Sequence, residues 1–162
     1  MSRLGSPRDV GPWGASGGKP RDDGVFQNIK QVRVQVGYLS KVIFGIQFNY
    51  VKKDGKFILS QFHGGTYHDE DISEVEINLD GMQEYLTGIS GYYGLVEGYG
   101  GVEGIISLTF HTNKGKHGPY GQENGGASYV YFTSTTSSGK IVGFHGRNGG
   151  FLTAIGVHTE YF

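Results

Sequence analysis

The chain has no cysteine among its 162 residues, so disulfide bridges and thiolate metal centres are both excluded. Methionine occurs twice, tryptophan once and proline four times. Scarce proline and the absence of a three-residue glycine period rule out a collagen-like chain. No charge sign prevails: 14 basic residues stand against 15 acidic ones, for a formal net charge of −1. That balance gives no electrostatic footprint for nucleic acid or an anionic membrane surface, and neither is expected as a partner. No apolar run approaches the roughly 18 residues needed to span a bilayer. Residues 1–10 lack the apolar core of a secretory leader, and no Asn-X-Ser/Thr acceptor occurs. Together these absences predict a cytoplasmic, or nucleocytoplasmic, location. Helical periodicity is missing as well, since no window of about 11 residues or more carries it; only "LDGMQEYL" has a short helical look.

What the chain does have is glycine, 30 residues of it, with 11 tyrosines and 10 phenylalanines. The usual glycine share is about 7 %. Glycines spread between aromatic and β-branched runs predict an all-β domain with many tight turns and bulges. Alternation with period two bears this out along the chain. Val32, Val34 and Val36 share one face, and Phe44, Ile46, Phe48 and Tyr50 another. Asp54 and Gly55 signal a hairpin turn, with "KFILSQF" as the return strand. Val75, Ile77 and Leu79 alternate in the same way, as do Ile106, Leu108 and Phe110. Residues 1–10 read as a polar, flexible arm, and residues 11–162 as one domain.

The glycine-rich stretch "GPWGASGGKP" invites comparison with a phosphate-binding loop, but its spacing is wrong. Counted back from Gly18 and Lys19, the first required glycine falls on Trp13, and Pro20 stands where a magnesium-binding hydroxyl belongs. Trp13 reads as a core or strand-anchoring side chain. The six histidines (His63, His68, His111, His117, His145 and His158) show no metal-ligand spacing in sequence, so no metal and no other cofactor is expected. The acidic run at residues 68–71 lacks the alternating oxygen ligands of a calcium loop and reads as a solvated turn. There is no Gly-X-Ser-X-Gly elbow, no acid–base constellation and hence no expected catalytic residue. The recurring Gly-Gly pairs, at 17–18, 64–65, 100–101, 125–126 and 149–150, fit a fold assembled from a few similar sheet units. Loops of this kind bring backbone amides close to a ligand, which suits the many short hydrogen bonds a sugar requires.

In order and spacing, "GPWGASGGKPRDDGVF", "IFGIQFNY", "ISGYYG", "ISLTFHTNKGKHGPYG" and "IVGFHGRNGGFLTAIGVH" together resemble the jacalin-related lectins across residues 11–162. The resemblance implies a β-prism, three four-stranded Greek-key sheets with pseudo-threefold symmetry. It also implies a sugar pocket between two loops. Gly18 matches the first loop's contributing glycine; Gly149, Gly150, Phe151, Leu152 and Thr153 match the second. Backbone amides of Gly150, Phe151 and Leu152 are expected to face the sugar, and Tyr92 or Tyr93 matches an aromatic lining the pocket. The family's sugar-gripping aspartate is replaced by Thr153. In a second loop of the same pattern, Gly37, Tyr38, Leu39, Ser40 and Lys41, expected near Gly64 and Gly65, the aspartate is replaced by Lys41. The uninterrupted "ASGGKP" resembles the uncleaved, mannose/glucose-type branch. The expected function is therefore a lectin for mannose/glucose-type mono- or oligosaccharides, with weakened or altered specificity. The alternative is a β-prism that has lost sugar binding and serves as a protein-interaction or structural module. By resemblance, a homo-oligomer is expected, a dimer before others, together with a role in plant defence.

Overall fold

A computed structural model of the protein describes residues 7–65, 70–80, 82–122, 128–135 and 138–162. Among these there is no helix. The strands are β1 (Arg8–Gly14), β2 (Lys19–Asp22), β3 (Asn28–Gly37), β4 (Ile43–Val51), β5 (Phe57–Leu59), β6 (His63–Gly64), β7 (Ile72–Asn78), β8 (Leu86–Leu95), β9 (Glu103–Thr112), β10 (Gly115–Gly121), β11 (Val130–Thr133), β12 (Gly139–Asn148) and β13 (Leu152–Tyr161). They form three antiparallel sheets: β1-β13-β12-β2, β5-β4-β3-β7 with β6 also on β4, and β10-β9-β8-β11.

One topology is used three times. In each sheet a long hairpin (β12–β13, β3–β4 or β8–β9) forms the centre. A third strand pairs with the hairpin's second strand, and a fourth returns beside its first, which is a Greek key. The first sheet completes the pattern through the start of the chain, with β1 and β2 as third and fourth strands. The sheets meet on one core, to which each contributes an aromatic ring. Phe48 of the second sheet stacks on Phe144 of the first at 3.9 Å, and Phe110 of the third meets Phe144 edge-on at 6.4 Å. All three rings are buried. This is the β-prism expected from the resemblance. Val32, Val34 and Val36 face the core as their alternation predicts. Trp13 packs against the core and stacks on Phe132 at 5.4 Å, the anchoring role expected of it.

Two expectations need correction, and one short segment with a helical look follows the all-β reading instead. The return strand expected over "KFILSQF" is shorter, β5 covering only Phe57, Ile58 and Leu59, and the two-residue β6 lies beyond that segment. Between them Ser60 accepts the Phe48 amide on its hydroxyl at 3.0 Å, so a side chain replaces part of the ladder. The helical look of "LDGMQEYL" comes to one capped turn. Asp80 Oδ1 accepts the amides of Met82, Gln83 and Glu84, while Leu79 and Leu86 on either side are buried in the core. So short a segment cannot sustain a helix without packing of its own. Of the arm expected over residues 1–10, residues 1–6 lie outside the described residues, and Arg8, Asp9 and Val10 belong to β1, where they pair with Thr159, His158 and Val157.

A buried polar cluster joins the end of β2 to the second sheet. Tyr50 donates to Asp23 Oδ2 at 2.5 Å, and the His63 imidazole meets the other oxygen of the same carboxylate. Burial pushes the Tyr50 phenol well up, and the adjacent Asp23 adds to the effect. Tyr50→Phe leaves a buried carboxylate short of a donor. It should lower unfolding free energy by about 1–3 kcal/mol, measured by urea denaturation. A loss under about 0.5 kcal/mol would show that solvent replaces the phenol there.

Candidate functional site

The Greek-key order explains why the glycine loops meet. In the first sheet, the hairpin loop after β12 and the loop linking β1 to β2 leave the same end, side by side. Together with the start of β9 and the residues before it, they enclose a cleft of about 370 Å³. It is lined by Ala15, Ser16, Gly17 and Gly18 from the first loop, and by Gly149, Gly150 and Thr153 from the second. The third sheet contributes Gly101, Val102 and Glu103.

The loops are held mainly through carbonyl groups. Arg147 donates from Nε to the Gly17 carbonyl at 3.3 Å and from Nη2 to the Gly18 carbonyl at 2.9 Å. Thr153, buried at the base of the cleft, donates its hydroxyl to the Gly17 carbonyl at 3.0 Å. The Thr153 carbonyl in turn accepts the Ala15 amide at 2.9 Å. Gly149 closes the second loop with an N–H bond to the Phe151 carbonyl at 2.9 Å. The Phe151 side chain points away from the cleft into a separate buried cluster with Val42, Phe44, Val96 and Ile106, where it meets Tyr99 edge-on. Leu152 is buried in the main core. These two side chains anchor the loop, which leaves their backbone as the part able to face a ligand. Behind the loop, Gly65 packs so closely that a Cβ there would collide with the Gly150 carbonyl, and Asn148 donates to the Gly64 carbonyl at 3.1 Å.

The structure therefore brings together Gly18, Gly149, Gly150 and Thr153, with Phe151 and Leu152 adjoining as anchors. Tyr92 and Tyr93 are not among the residues lining the cleft. They lie on β8, with Tyr92 tilted against Tyr131 and Tyr93 against Phe132. Glu103 and Arg147 were missed in the sequence. Gly100 and Gly101 were visible as a glycine pair, but only the meeting of two sheets shows that this loop reaches the cleft.

The matching loop of the second sheet has a different occupant. Glu70 Oε1 accepts the amides of Leu39 and Ser40 at 2.8 and 3.0 Å, and Oε2 accepts the Tyr99 hydroxyl at 2.5 Å. The amides that would meet a ligand thus bind the chain's own carboxylate. Lys41, with a left-handed φ of 62°, holds its ammonium 5.3 Å from the Tyr38 ring centroid. Gly65 lies against the first sheet's loop rather than this one. Of the acidic run once read as a solvated turn, His68 and Asp69 lie outside the described residues, whereas Glu70 is tied into this loop.

Burial alone would raise the Glu70 carboxyl, but hydrogen bonds from Tyr99, Ser40 and Leu39 outweigh it and hold the group below the ordinary glutamate range. With a depressed folded-state value, the stabilisation is fully present above the unfolded glutamate pKa and is lost as pH falls through the folded one. The Leu39 and Ser40 amide resonances should titrate together, with a midpoint below that of an exposed glutamate. A midpoint at or above it would show that the carboxylate is not held by these amides.

Comparison with known proteins agrees with this geometry. Residues 10–158 match the family described as the Jacalin-like lectin domain. An agglutinin from Castanea crenata is 47 % identical over 159 residues, covering 98 % of this chain and 48 % of that protein. The artocarpin–mannotriose complex superposes with a TM-score of 0.82 at 35 % identity, over 96 % of this chain and 98 % of that one. A mannose-specific jacalin-related lectin from Morus nigra, in complex with mannose, gives a TM-score of 0.81 at 34 % identity, over 98 % and 97 % of the two chains. The chain spans about half the length of the Castanea agglutinin and 25 % of Jacalin-related lectin 3 from Arabidopsis thaliana. With three Greek-key sheets, paired glycine loops and a match over nearly its whole length, the chain belongs to the jacalin-like lectin family.

Proposed function

We propose that the protein binds mannose/glucose-type glycans in the cleft between residues 15–18 and 149–153, with lower affinity than a relative carrying an aspartate at position 153. The observation that carries this reading is the cleft itself. Both glycine loops are pinned from behind by Arg147, Thr153 and Phe151, so their backbones are ordered before any ligand arrives. Artocarpin and the Morus nigra lectin, both solved with mannose-type sugars, share the fold throughout.

Thr153 offers a sugar only the lone pairs its hydroxyl retains after donating to Gly17. Glu103, which lines the same cleft from the third sheet, supplies the carboxylate that position 153 lacks. The test is a titration with methyl α-mannoside and methyl α-glucoside, followed by amide chemical shifts. Perturbations should cluster at Gly18 and residues 149–153, and Glu103→Gln should weaken binding about tenfold, the loss of one charge-assisted hydrogen bond. Silence at millimolar sugar would overturn the proposal.

That silence would favour the second reading, a β-prism that acts as an interaction module. Two observations speak for it: the committed hydroxyl at position 153, and the second sheet's loop capped by Glu70.

A further inference from the structure

The first sheet carries a side-chain cluster that the lectin reading does not use, with one member from each of its four strands. These are Asp9 on β1, His158 on β13, His145 on β12 and Asp22 on β2. The register sets them as two offset pairs, Asp9 opposite His158 and His145 opposite Asp22, with the two histidines diagonal to one another across β12 and β13. His158, with 6 % of its side chain exposed, has Nδ1 at 2.5 Å from Asp9 Oδ1 and Nε2 at 2.7 Å from Asp22 Oδ1. The His145 and His158 rings lie 4.9 Å apart, and His145 Nε2 is buried with no hydrogen-bond partner. One ligand atom each from Asp9, His145 and His158 falls within 4.8 Å of the others. Room for the second imidazole comes from Gly156, its cross-strand neighbour, where a Cβ would run into the His145 ring.

We propose that Asp9, His145 and His158 form a binding site for a divalent transition cation of the Zn²⁺ type, with Asp22 as the positioning residue behind His158. The donor set is two imidazoles and one carboxylate, which suits a borderline cation in a tetrahedral site with water in fourth place. The imidazoles argue against Ca²⁺ or Mg²⁺, which take oxygen ligands. His145 Nε2 is available without breaking any hydrogen bond. Asp9 swings off His158 Nδ1 and leaves that nitrogen to the metal, while Nε2 keeps Asp22, the carboxylate–histidine–metal arrangement that fixes a ligand ring. Asp9, with 69 % of its side chain exposed, has the freedom to swing from hydrogen-bond acceptor to ligand, whereas His158 does not. Two neutral imidazoles and two carboxylates balance the charge of a divalent ion. The histidines stand 13 positions apart in sequence, which is why no ligand motif is readable there; the β12–β13 pairing brings them together.

The test uses the untagged full chain, freed of metal with a chelator and titrated with Zn²⁺ by calorimetry and with Co²⁺ by visible absorption. One equivalent of Zn²⁺ should bind and raise the thermal midpoint, because the ion ties β1 and β2 to the central hairpin. Co²⁺ should develop the intense ligand-field band of a tetrahedral site. Asp22→Asn should weaken Zn²⁺ binding about 10- to 100-fold, as removal of a carboxylate behind a metal-bound histidine does elsewhere, and His145→Ala should weaken it further. His111→Gln, outside the cluster, should change nothing. If His145→Ala fails to fold when metal-free, the exposed Asp22 variant decides alone. Absence of saturable one-equivalent binding, or binding indifferent to these changes, overturns the proposal.

Discussion

Thr153→Asp is expected to tighten methyl α-mannoside binding about 10- to 200-fold, the value of a charge-assisted hydrogen bond worth about 1.5–3 kcal/mol. The threonine hydroxyl spends its proton on the Gly17 carbonyl at 3.0 Å, whereas a carboxylate has two acceptor oxygens and can take two adjacent sugar hydroxyls. The exchange has a cost. A carboxylate cannot donate to Gly17, so the loop loses a hydrogen bond worth about 1 kcal/mol. Arg147 limits the damage, since it also holds the Gly17 and Gly18 carbonyls and brings a positive charge to the same corner. The variant should therefore be slightly less stable while binding more tightly. Calorimetry on the two proteins, with Thr153→Asn as an uncharged acceptor, separates charge from geometry: asparagine should fall between them. Equal affinity in all three would show that the acceptor at position 153 does not limit the cleft.

The strands were legible wherever one face of a sheet is dry. Val32, Val34 and Val36 alternate because every second side chain enters the core, and a slip by one residue would expose them all. β5 was harder to bound because Phe57, Ile58 and Leu59 are all exposed, so no alternation marks where it ends. Within the cleft, Gly18, Gly149, Gly150 and Thr153 were legible through the resemblance to the jacalin-related lectins, whose two loop motifs they match; composition and alternation alone explain the glycines equally well as turns and bulges. Glu103 was not, since it arrives from another sheet and no local pattern records that meeting. Glu70 illustrates the same limit. An acidic run looks solvated in one dimension, yet its carboxylate lies on amides some thirty positions earlier.

Gly18→Ala should abolish measurable sugar binding and lower stability by about 1–3 kcal/mol, while Gly17→Ala next to it should change stability by less than about 0.5 kcal/mol. The two glycines look alike in sequence but differ in what surrounds them. Gly18 has a φ of +85°, and a Cβ there would sit 2.7 Å from the Asn148 carbonyl group, which is backbone and cannot rotate away. An alanine must either strain the chain or push residues 15–18 off residues 149–153, and the cleft exists only while those loops touch. Gly17 has no left-handed φ, and a Cβ there meets nothing within 4 Å. The Gly-Gly pair is thus one obligatory glycine and one replaceable one. Urea denaturation and mannoside titration of the two single variants test this directly. Equal losses in both would mean that the loop needs flexibility along its length, and that close packing of Gly18 on Asn148 is not what builds the site.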